Sequence, residues 1–180
     1  MKIAFLDRDG VINKDIGYAY KIKDLMFCEK SIEGMKLLIK KNYNFIIITN
    51  QSGIGRGLYR EKDFFNFMNH MYLELEKENI KILDTFFCPH HPTKGIGEYK
   101  KNCNCRKPKA GMIIEAKKKW SINLDESILV GDKYDDIEAG RSAGLKKLYL
   151  INNSSSGNFN NFNNFKSTKE NLFEVAQEVN

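Results

Sequence analysis

The chain has 180 residues, of which 42% are hydrophobic and 29% charged, and these values are typical of one soluble globular domain. No apolar run approaches the roughly 20 residues that span a membrane, and the apolar run near the N-terminus is too short for a secretory signal, so we expect a cytoplasmic protein. The formal net charge of +6 fits nucleic acid, a membrane surface or phosphorylated small molecules as partners.

Five short apolar runs predict β-strands. They are continuous instead of alternating with polar residues, which is typical of strands that are buried on both faces of a parallel sheet. In chain order they are Ile3–Leu6, Phe45–Ile48, Thr85–Phe87, Ile128–Val130 and Leu148–Leu150. Segments with apolar residues at helical spacing lie between them. The alternation predicts an α/β fold with right-handed helical crossovers.

The C-terminal part of the chain has a different composition. Residues 152–164 form an Asn-rich, low-complexity linker. Ser167 and Glu170 then fit a capping box, and the apolar residues that follow predict an amphipathic helix over about 168–179. We therefore expect a single domain of residues 1–180, with its core before the linker and a terminal helix after it.

Two aspartates directly follow the first predicted strand. Asp7 and Asp9 lie at positions i and i+2 of a turn, and ligands of open α/β sheets bind at the carboxyl ends of strands. One carboxylate is placed to attack a phosphorus atom, and the other to move the proton of the leaving oxygen. Taken alone, the same residues fit a solvated turn equally well, because Asp and Gly favour turns.

The ends of two further predicted strands carry groups of matching chemistry. The segment Thr49–Gly53 offers hydroxyl and amide donors for phosphate oxygens. Asp132 offers a carboxylate that joins Asp7 around Mg²⁺, which prefers oxygen ligands. Each segment alone fits a polar loop, but three such segments on successive strand ends predict phosphoryl chemistry that depends on Mg²⁺.

Residues 88–109 form a long loop without periodicity, and such loops are usually functional or held by a ligand. The loop contains the pattern C-x-H…C-x-C, which is typical of a tetrahedral zinc site with three Cys and one His. Four protein ligands leave no open position, so we expect a structural zinc ion. Free cysteines are the alternative, and His91 is an alternative ligand to His90. The predicted zinc ligands are Cys88, His90, Cys103 and Cys105.

Three other residues have a less specific interpretation. We expect Asp136 to cap the helix that follows the fourth strand, although it also fits a role in orienting Lys133 or Lys107. Cys28 lies far from the other cysteines, and we expect it in the core. We expect His70 on the surface or in ordinary packing.

The segments FLDRDGVIN, ITNQSG, RKP and VGDKYDD resemble, in this order, the four motifs of the haloacid dehalogenase (HAD) superfamily of phosphatases. The resemblance covers about residues 3–150. It implies a Rossmann-like fold with a mainly parallel central sheet and helices on both faces. It also implies that Asp7 is the nucleophile that forms an aspartyl-phosphate, and that Asp9 is the general acid and then the base. Thr49 and Lys107 are implied to stabilise the phosphoryl group, and the implied Mg²⁺ ligands are Asp7, the Asp9 carbonyl oxygen and Asp132.

The segment CPHHP…CNCRKPKAGM is similar to the heptose bisphosphate phosphatases, small HAD enzymes with a structural zinc ion and no large cap domain. The chain between the second and third predicted strands has room for one helix only, which also argues against a cap. The resemblance implies that the C7 phosphate of D-glycero-D-manno-heptose 1,7-bisphosphate is removed, in nucleotide-activated heptose biosynthesis for glycans such as lipopolysaccharide. Substrate recognition is assigned to Arg106, and position 16, often His in this family, is Ile here. The implied substrate-binding residues are Asp15, Ile16, Gly17, Tyr18, Asn50, Gln51, Ser52, Arg106 and Lys133.

Three alternatives stay open. The histidinol-phosphate phosphatases share the four motifs and a similar zinc loop, although CPHHP and SGIGRG favour the heptose enzymes. A non-catalytic binding module stabilised by zinc is disfavoured because the catalytic residues are all present. A nucleic-acid 3′-phosphatase fits the net charge, but the short lysine runs at 100–101 and 117–119 lack interleaved aromatic residues. We expect a monomer that binds a phosphosugar and neither nucleic acid nor a membrane.

Overall fold

Six parallel strands form one sheet in the order β3-β2-β1-β4-β5-β6 in the computed structural model, which describes residues 1–151 and 168–179. The strands are β1 (Ile3–Leu6), β2 (Asn44–Asn50), β3 (Ile82–Cys88), β4 (Ile128–Gly131), β5 (Lys147–Ile151) and β6 (Thr168–Lys169). The helices are α1 (Ser31–Lys40), α2 (Ser52–Gly55), α3 (Glu61–Lys77), α4 (Gly111–Trp120), α5 (Tyr134–Ala143) and α6 (Leu172–Glu178). The predicted α/β fold with a parallel sheet is confirmed.

Helices cover both faces of the sheet, which explains the continuous apolar runs. Alternate residues of β1 point into two separate cores: Ala4 and Leu6 pack with α1, α3 and α6, whereas Ile3 and Phe5 pack with α4 and α5. All four side chains have no exposed surface. A strand with a core on each side has no polar face, so its sequence does not alternate.

The crossover from β2 to β3 differs from the prediction of a single helix. It contains the long helix α3 and, before it, the four-residue helix α2. These two helices occupy most of residues 51–81, so this crossover carries no cap domain. In the described part of the chain, no helix has both the length and the apolar character needed to cross a membrane.

The C-terminal helix begins later than the sequence predicts. Thr168 and Lys169 form the short strand β6 beside β5, and α6 begins at Leu172. Asn171 is the N-cap residue, because its side chain accepts a hydrogen bond from the backbone N–H of Glu174 at 3.1 Å. Ser167, which the predicted capping box requires, and the Asn-rich linker 152–164 lie outside the described residues.

Asp84 connects the edge strand β3 to the end of α4. Its Oδ2 accepts hydrogen bonds from Trp120 Nε1 and Lys119 Nζ, both at 2.8 Å. Partial burial raises the pKa of the Asp84 carboxyl, but the hydrogen bonds from Lys119, Trp120 and the backbone N–H of Thr85 outweigh burial. The pKa of Asp84 is therefore below its usual value.

We expect Asp84→Asn to lower the free energy of unfolding at pH 7 by about 1 kcal/mol. Because the folded-state pKa is depressed, the stabilisation is present above the unfolded-state pKa of about 4 and is lost as the pH falls through the folded-state pKa. Urea unfolding of both proteins at pH 7 and pH 3 measures this difference. A difference of equal size at both pH values would contradict the prediction.

Candidate functional site

The candidate site lies where the strand order reverses, at the carboxyl ends of β1, β2 and β4. Ligands of open α/β sheets bind at such a position because the neighbouring crossovers leave on opposite faces. A cavity of about 280 Å³ opens there. Ile16 is not among its lining residues and is 48% exposed. The sequence-predicted residues that line it are Asp7, Asp9, Asp15, Gly17, Tyr18, Thr49, Asn50, Gln51, Ser52, Arg106, Lys107 and Lys133.

Lys107 is buried between two carboxylates at the floor of this cavity. Its Nζ lies 3.0 Å from Asp7 Oδ1 and 2.5 Å from Asp136 Oδ1, and it donates to the carbonyl oxygen of Ile48 at 2.8 Å. Burial lowers the pKa of the Lys107 ammonium, but Asp136 and Asp7 outweigh burial and raise it above its usual value. Lys107 therefore stays charged although it is buried.

Asp136 has two roles, of which the sequence favoured only one. Its Oδ2 accepts the backbone N–H of Lys133 at 3.0 Å and so caps α5, as expected. Its Oδ1 forms the ion pair with Lys107, which the sequence analysis treated as the less favoured role. Asp136 belongs to the floor of the site for this reason.

Asp132 has one oxygen that lacks a protein partner. Its Oδ1 is buried and accepts no hydrogen bond from the residues that the structure describes. Burial and the negative charge of Asp7 raise the pKa of Asp132 to about 8. Burial and the charge of Asp136 likewise raise the pKa of Asp7, against the opposing effect of Lys107 and Lys133. A cation here would supply the missing partner and offset this repulsion.

The carboxylates are close enough to share one cation. Ligand oxygens of Asp7, Asp132 and Asp136 lie within 4.8 Å of one another. Asp136 is already bonded through both oxygens, so Asp7 and Asp132 are the better placed pair. Gly10 provides the space for Asp132, because a Cβ at position 10 would lie 2.3 Å from Asp132 Oδ2.

Asp9 is held by three side chains, all of them donors. The Arg8 guanidinium donates to both of its oxygens at 2.9 Å. Asn13 Nδ2 donates to Oδ1 at 2.9 Å, and Gln51 Nε2 donates to Oδ2 at 3.1 Å. Arg8 is itself 1% exposed and stacks over the ring of Phe67 at 4.7 Å. This network fixes the Asp9 carboxylate at the edge of the cavity.

Asn50 and Gln51 bind protein groups through their side chains. Asn50 accepts the backbone N–H of Lys107 at 3.0 Å and donates to its carbonyl oxygen at 3.1 Å. Gln51 donates to Thr49 Oγ1 at 2.8 Å as well as to Asp9, and accepts a hydrogen bond from the Tyr59 hydroxyl at 2.6 Å. In this structure, the two side chains therefore position residues of the site.

The loop that carries Asp15 and Tyr18 is held over the cavity at two points. Lys133 Nζ lies 2.9 Å from Asp15 Oδ2, and Arg56 donates a hydrogen bond to the Tyr18 hydroxyl. Partial burial raises the pKa of Asp15, but its bonds to Lys133 and to the N–H of Gly17 outweigh burial and lower it. The loop therefore forms a charged rim.

A second group of ligands lies beside the cavity in the 88–105 loop. Cys88 Sγ is 3.4 Å from Cys103 Sγ, and Cys105 Sγ is 3.2 Å from each of them. His90 Nδ1 lies 3.6 Å from Cys88 Sγ and 3.4 Å from Cys105 Sγ. All four ligand atoms lie within 4.8 Å of one another. A tetrahedron with bonds of about 2.0–2.3 Å has edges of roughly 3.3–3.8 Å, so this group is placed to hold one metal ion.

The alternative ligand His91 is turned away from this group. Its Nδ1 accepts the backbone N–H of Lys94 at 3.0 Å. The loop leads directly into Arg106, whose Nη1 donates to the carbonyl oxygen of His90 at 3.2 Å, and then into Lys107. The Cys/His group is therefore connected to Arg106 and Lys107, through the chain that follows Cys105 and through the bond from Arg106 to His90.

Arg8 and Tyr59 are site residues that the sequence analysis missed. Arg8 stands between two aspartates in a turn, where a charged side chain normally points to solvent. The neighbouring sequence therefore does not predict that Arg8 is buried. Tyr59 is eight residues from Gln51, and only the fold brings them together. The three consecutive ionisable residues Asp7–Asp9, directly after β1, are the sequence feature that could have indicated a role for Arg8 in the site.

A scan of family models matches residues 2–173 to polynucleotide kinase 3 phosphatase. Two curated relatives match most of the chain. The chain is 48% identical over 151 residues to the D-glycero-alpha-D-manno-heptose-1,7-bisphosphate 7-phosphatase of Photorhabdus laumondii, covering 84% of this chain and 82% of the relative. It is 41% identical over 150 residues to the D-glycero-beta-D-manno-heptose-1,7-bisphosphate 7-phosphatase of Haemophilus influenzae, covering 83% and 81%. The chain belongs to the D-glycero-D-manno-heptose-1,7-bisphosphate 7-phosphatase family.

A solved structure agrees with this heptose-bisphosphatase assignment. The D,D-heptose 1,7-bisphosphate phosphatase from B. bronchiseptica, which was crystallised with magnesium and phosphate, is 27% identical. It aligns with a TM-score of 0.83 over 99% of this chain and 98% of that one. The chain is also 29% identical to a structure described as a putative HAD-like phosphatase from Mesorhizobium loti, with a TM-score of 0.80 over 88% of this chain and 76% of that one. The HAD resemblance of the four motifs is confirmed, and the relatives are named as phosphatases.

We expect Gly10→Ala to destabilise the fold more than Gly17→Ala. Both residues have a positive φ, 87° and 90°, so alanine costs about 1–2 kcal/mol of backbone strain at either position. Only at position 10 does the Cβ meet a neighbour, the Asp132 carboxylate, and overpacking adds about 1–3 kcal/mol. Urea unfolding of both variants measures the difference. Equal losses would show that Asp132 moves away freely.

Proposed function

We propose that this chain is a phosphatase that hydrolyses a phosphosugar through an aspartyl-phosphate. The observation that carries the proposal is the floor of the cavity. There the Asp7 carboxylate lies beside the charged Lys107 ammonium, with Asp9 at the edge of the cavity. The buried Asp132 carboxylate, one oxygen of which has no partner among the described residues, lies behind this lining, with a ligand oxygen within 4.8 Å of one of Asp7. A nucleophile, a buried cation and a position for a metal ion are what phosphoryl transfer requires, because its catalysis is largely positioning and charge neutralisation.

The reaction proceeds in two steps. Asp7 attacks phosphorus and the bond to the sugar oxygen breaks, while Asp9, which enters this step in its protonated form, gives its proton to that oxygen. Asp9 then takes a proton from water, whose oxygen attacks the phosphorus and releases inorganic phosphate and free Asp7. Lys107 and the hydroxyl of Thr49 neutralise and orient the phosphoryl oxygens.

We assign Mg²⁺ to Asp7, Asp132 and the backbone carbonyl of Asp9. The raised pKa values of Asp7 and Asp132 and the buried unpaired oxygen fit a hard cation with oxygen ligands. When bound, Mg²⁺ supplies positive charge to the phosphate oxygens and favours the ionised form of Asp7. The relative from B. bronchiseptica was crystallised with magnesium and phosphate.

The proposed substrate is D-glycero-D-manno-heptose 1,7-bisphosphate, and the proposed product retains the C1 phosphate. The relatives are named for this substrate. A second phosphate needs cations outside the floor, and Arg106 and Lys133 line the cavity there. The planar guanidinium of Arg106 suits bidentate binding of a phosphate. Gly17 and Tyr18 also line the cavity. Ile16 is 48% exposed and does not line the cavity, so a contact to the substrate is proposed for its backbone only.

We further propose that the Cys88, His90, Cys103 and Cys105 group binds a structural Zn²⁺. Burial raises the pKa of the Cys88 thiol, and a dication offsets that cost by stabilising thiolates. A reducing cytoplasm, which keeps thiols available, fits this site and the expected location of the protein. We expect the protein to act as a monomer.

We expect phosphate release from heptose 1,7-bisphosphate that is lost on EDTA treatment and restored by Mg²⁺. Asp7→Asn keeps the shape of the side chain but weakens the nucleophile, so kcat/KM falls by about 10³-fold or more. Phosphate assays on the α and β anomers, histidinol phosphate and a 3′-phosphorylated oligonucleotide measure the preference. A higher kcat/KM for either of the last two substrates would overturn the proposed substrate, and full activity of Asp7→Asn would overturn the mechanism.

We expect about one zinc ion per purified chain. Cys103→Ser removes one ligand, so elemental analysis should show loss of zinc and thermal unfolding should begin at a lower temperature. Cys28→Ser is the matched control, because this half-buried thiol lies outside the group. Wild-type protein without zinc, or an equal zinc loss in Cys28→Ser, would contradict the assignment.

A further inference from the structure

Tyr59 begins a chain of buried hydrogen bonds that reaches two residues of the active site. Its hydroxyl donates to Gln51 Oε1 at 2.6 Å. The Gln51 amide nitrogen then donates to Thr49 Oγ1 at 2.8 Å and to Asp9 Oδ2 at 3.1 Å. Tyr59, Gln51 and Thr49 are 6%, 2% and 1% exposed, so water does not compete strongly for these bonds.

We propose that Tyr59 is a positioning residue that fixes the donor direction of the Gln51 amide and, through it, of the Thr49 hydroxyl. The proposal rests on the phosphatase function proposed above. Because the Tyr59 hydroxyl donates to Oε1, the NH₂ group of Gln51 must face Thr49 and Asp9. Thr49 Oγ1 is then an acceptor toward Gln51, which leaves the hydroxyl hydrogen of Thr49 available for donation to a bound phosphoryl group. This series of hydrogen bonds provides one oriented donor for catalysis, the Thr49 hydroxyl.

The surroundings of Tyr59 hold the ring in place. It stacks on Tyr20 with centroids 4.7 Å apart and planes 8° from parallel. Gly53 allows the close approach, because a Cβ there would lie 2.2 Å from Tyr59 Cε1. Burial raises the pKa of the Tyr59 hydroxyl, so it stays protonated and remains a donor. The orientation of Gln51 therefore depends on a rigid aromatic pair.

Tyr59→Phe removes the hydroxyl and keeps the ring. We expect kcat for the preferred phosphosugar to fall by about tenfold, while KM changes by less than about twofold, since Tyr59 acts on bound phosphate through Gln51. Tyr43→Phe is the matched control. Tyr43 is 3% exposed, donates one hydroxyl bond to the Glu126 carbonyl oxygen at 3.3 Å, and precedes β2 at the opposite end of the sheet. Its kcat should equal that of the wild type.

Gln51→Leu provides the decisive comparison. If Tyr59 acts only through Gln51, Tyr59→Phe in the Gln51→Leu background lowers kcat by less than about twofold further, whereas independent effects multiply. Circular dichroism confirms that each variant is folded. The proposal would be overturned by multiplying effects in the double variant, by an unchanged kcat in Tyr59→Phe, or by a raised KM with unchanged kcat. In each case an active wild-type protein would still support the phosphatase function. An inactive wild type would overturn both.

Discussion

The buried Lys107 ammonium is the interaction on which the candidate active site depends. It lies between Asp7 and Asp136, and removal of one partner would leave an uncompensated charge in the interior, at a cost of about 3–5 kcal/mol. One ammonium cannot balance Asp7, Asp136 and Asp132, even with Lys133 at 3.5 Å from Asp132. The floor of the site therefore has an excess of negative charge, and this excess is the physical basis for binding a cation.

The position of Lys107 is fixed through its backbone as well as its charge. Asn50 bonds both its N–H and its carbonyl oxygen, which ties the loop to the end of β2. The Cys/His group holds the preceding residues, and Arg106 bonds back to His90. These supports come from different parts of the structure, so the position of Lys107 does not depend on a single contact. This arrangement suits phosphoryl transfer, where an error of about 1 Å in position lowers the rate substantially.

Local sequence patterns predicted five of the six strands, and the polar residues that they singled out at strand ends line one cavity. Continuous apolar runs identified β1 to β5, and polar residues after three of these strands located the cavity. The features that the sequence did not predict depend on tertiary contacts. Strand β6 has two residues and exists only because it pairs with β5, and the four-residue α2 has no amphipathic period. The ion pair of Asp136, the burial of Arg8 and the bond from Tyr59 to Gln51 join residues whose spacing in the chain carries no periodic signal. The family resemblance implies catalytic roles for individual residues that spacing alone does not indicate, and these roles stay predictions.

The contact between Gly10 and Asp132 has a consequence for how this sequence can diverge. The two residues are far apart in the chain, yet the missing side chain of one is the space that the carboxylate of the other occupies. A side chain at position 10 requires the Asp132 carboxylate to be smaller or to move from the place it occupies near Asp7. The two positions are therefore sterically coupled, and we expect a substitution that adds a side chain at position 10 to require a compensating change at position 132.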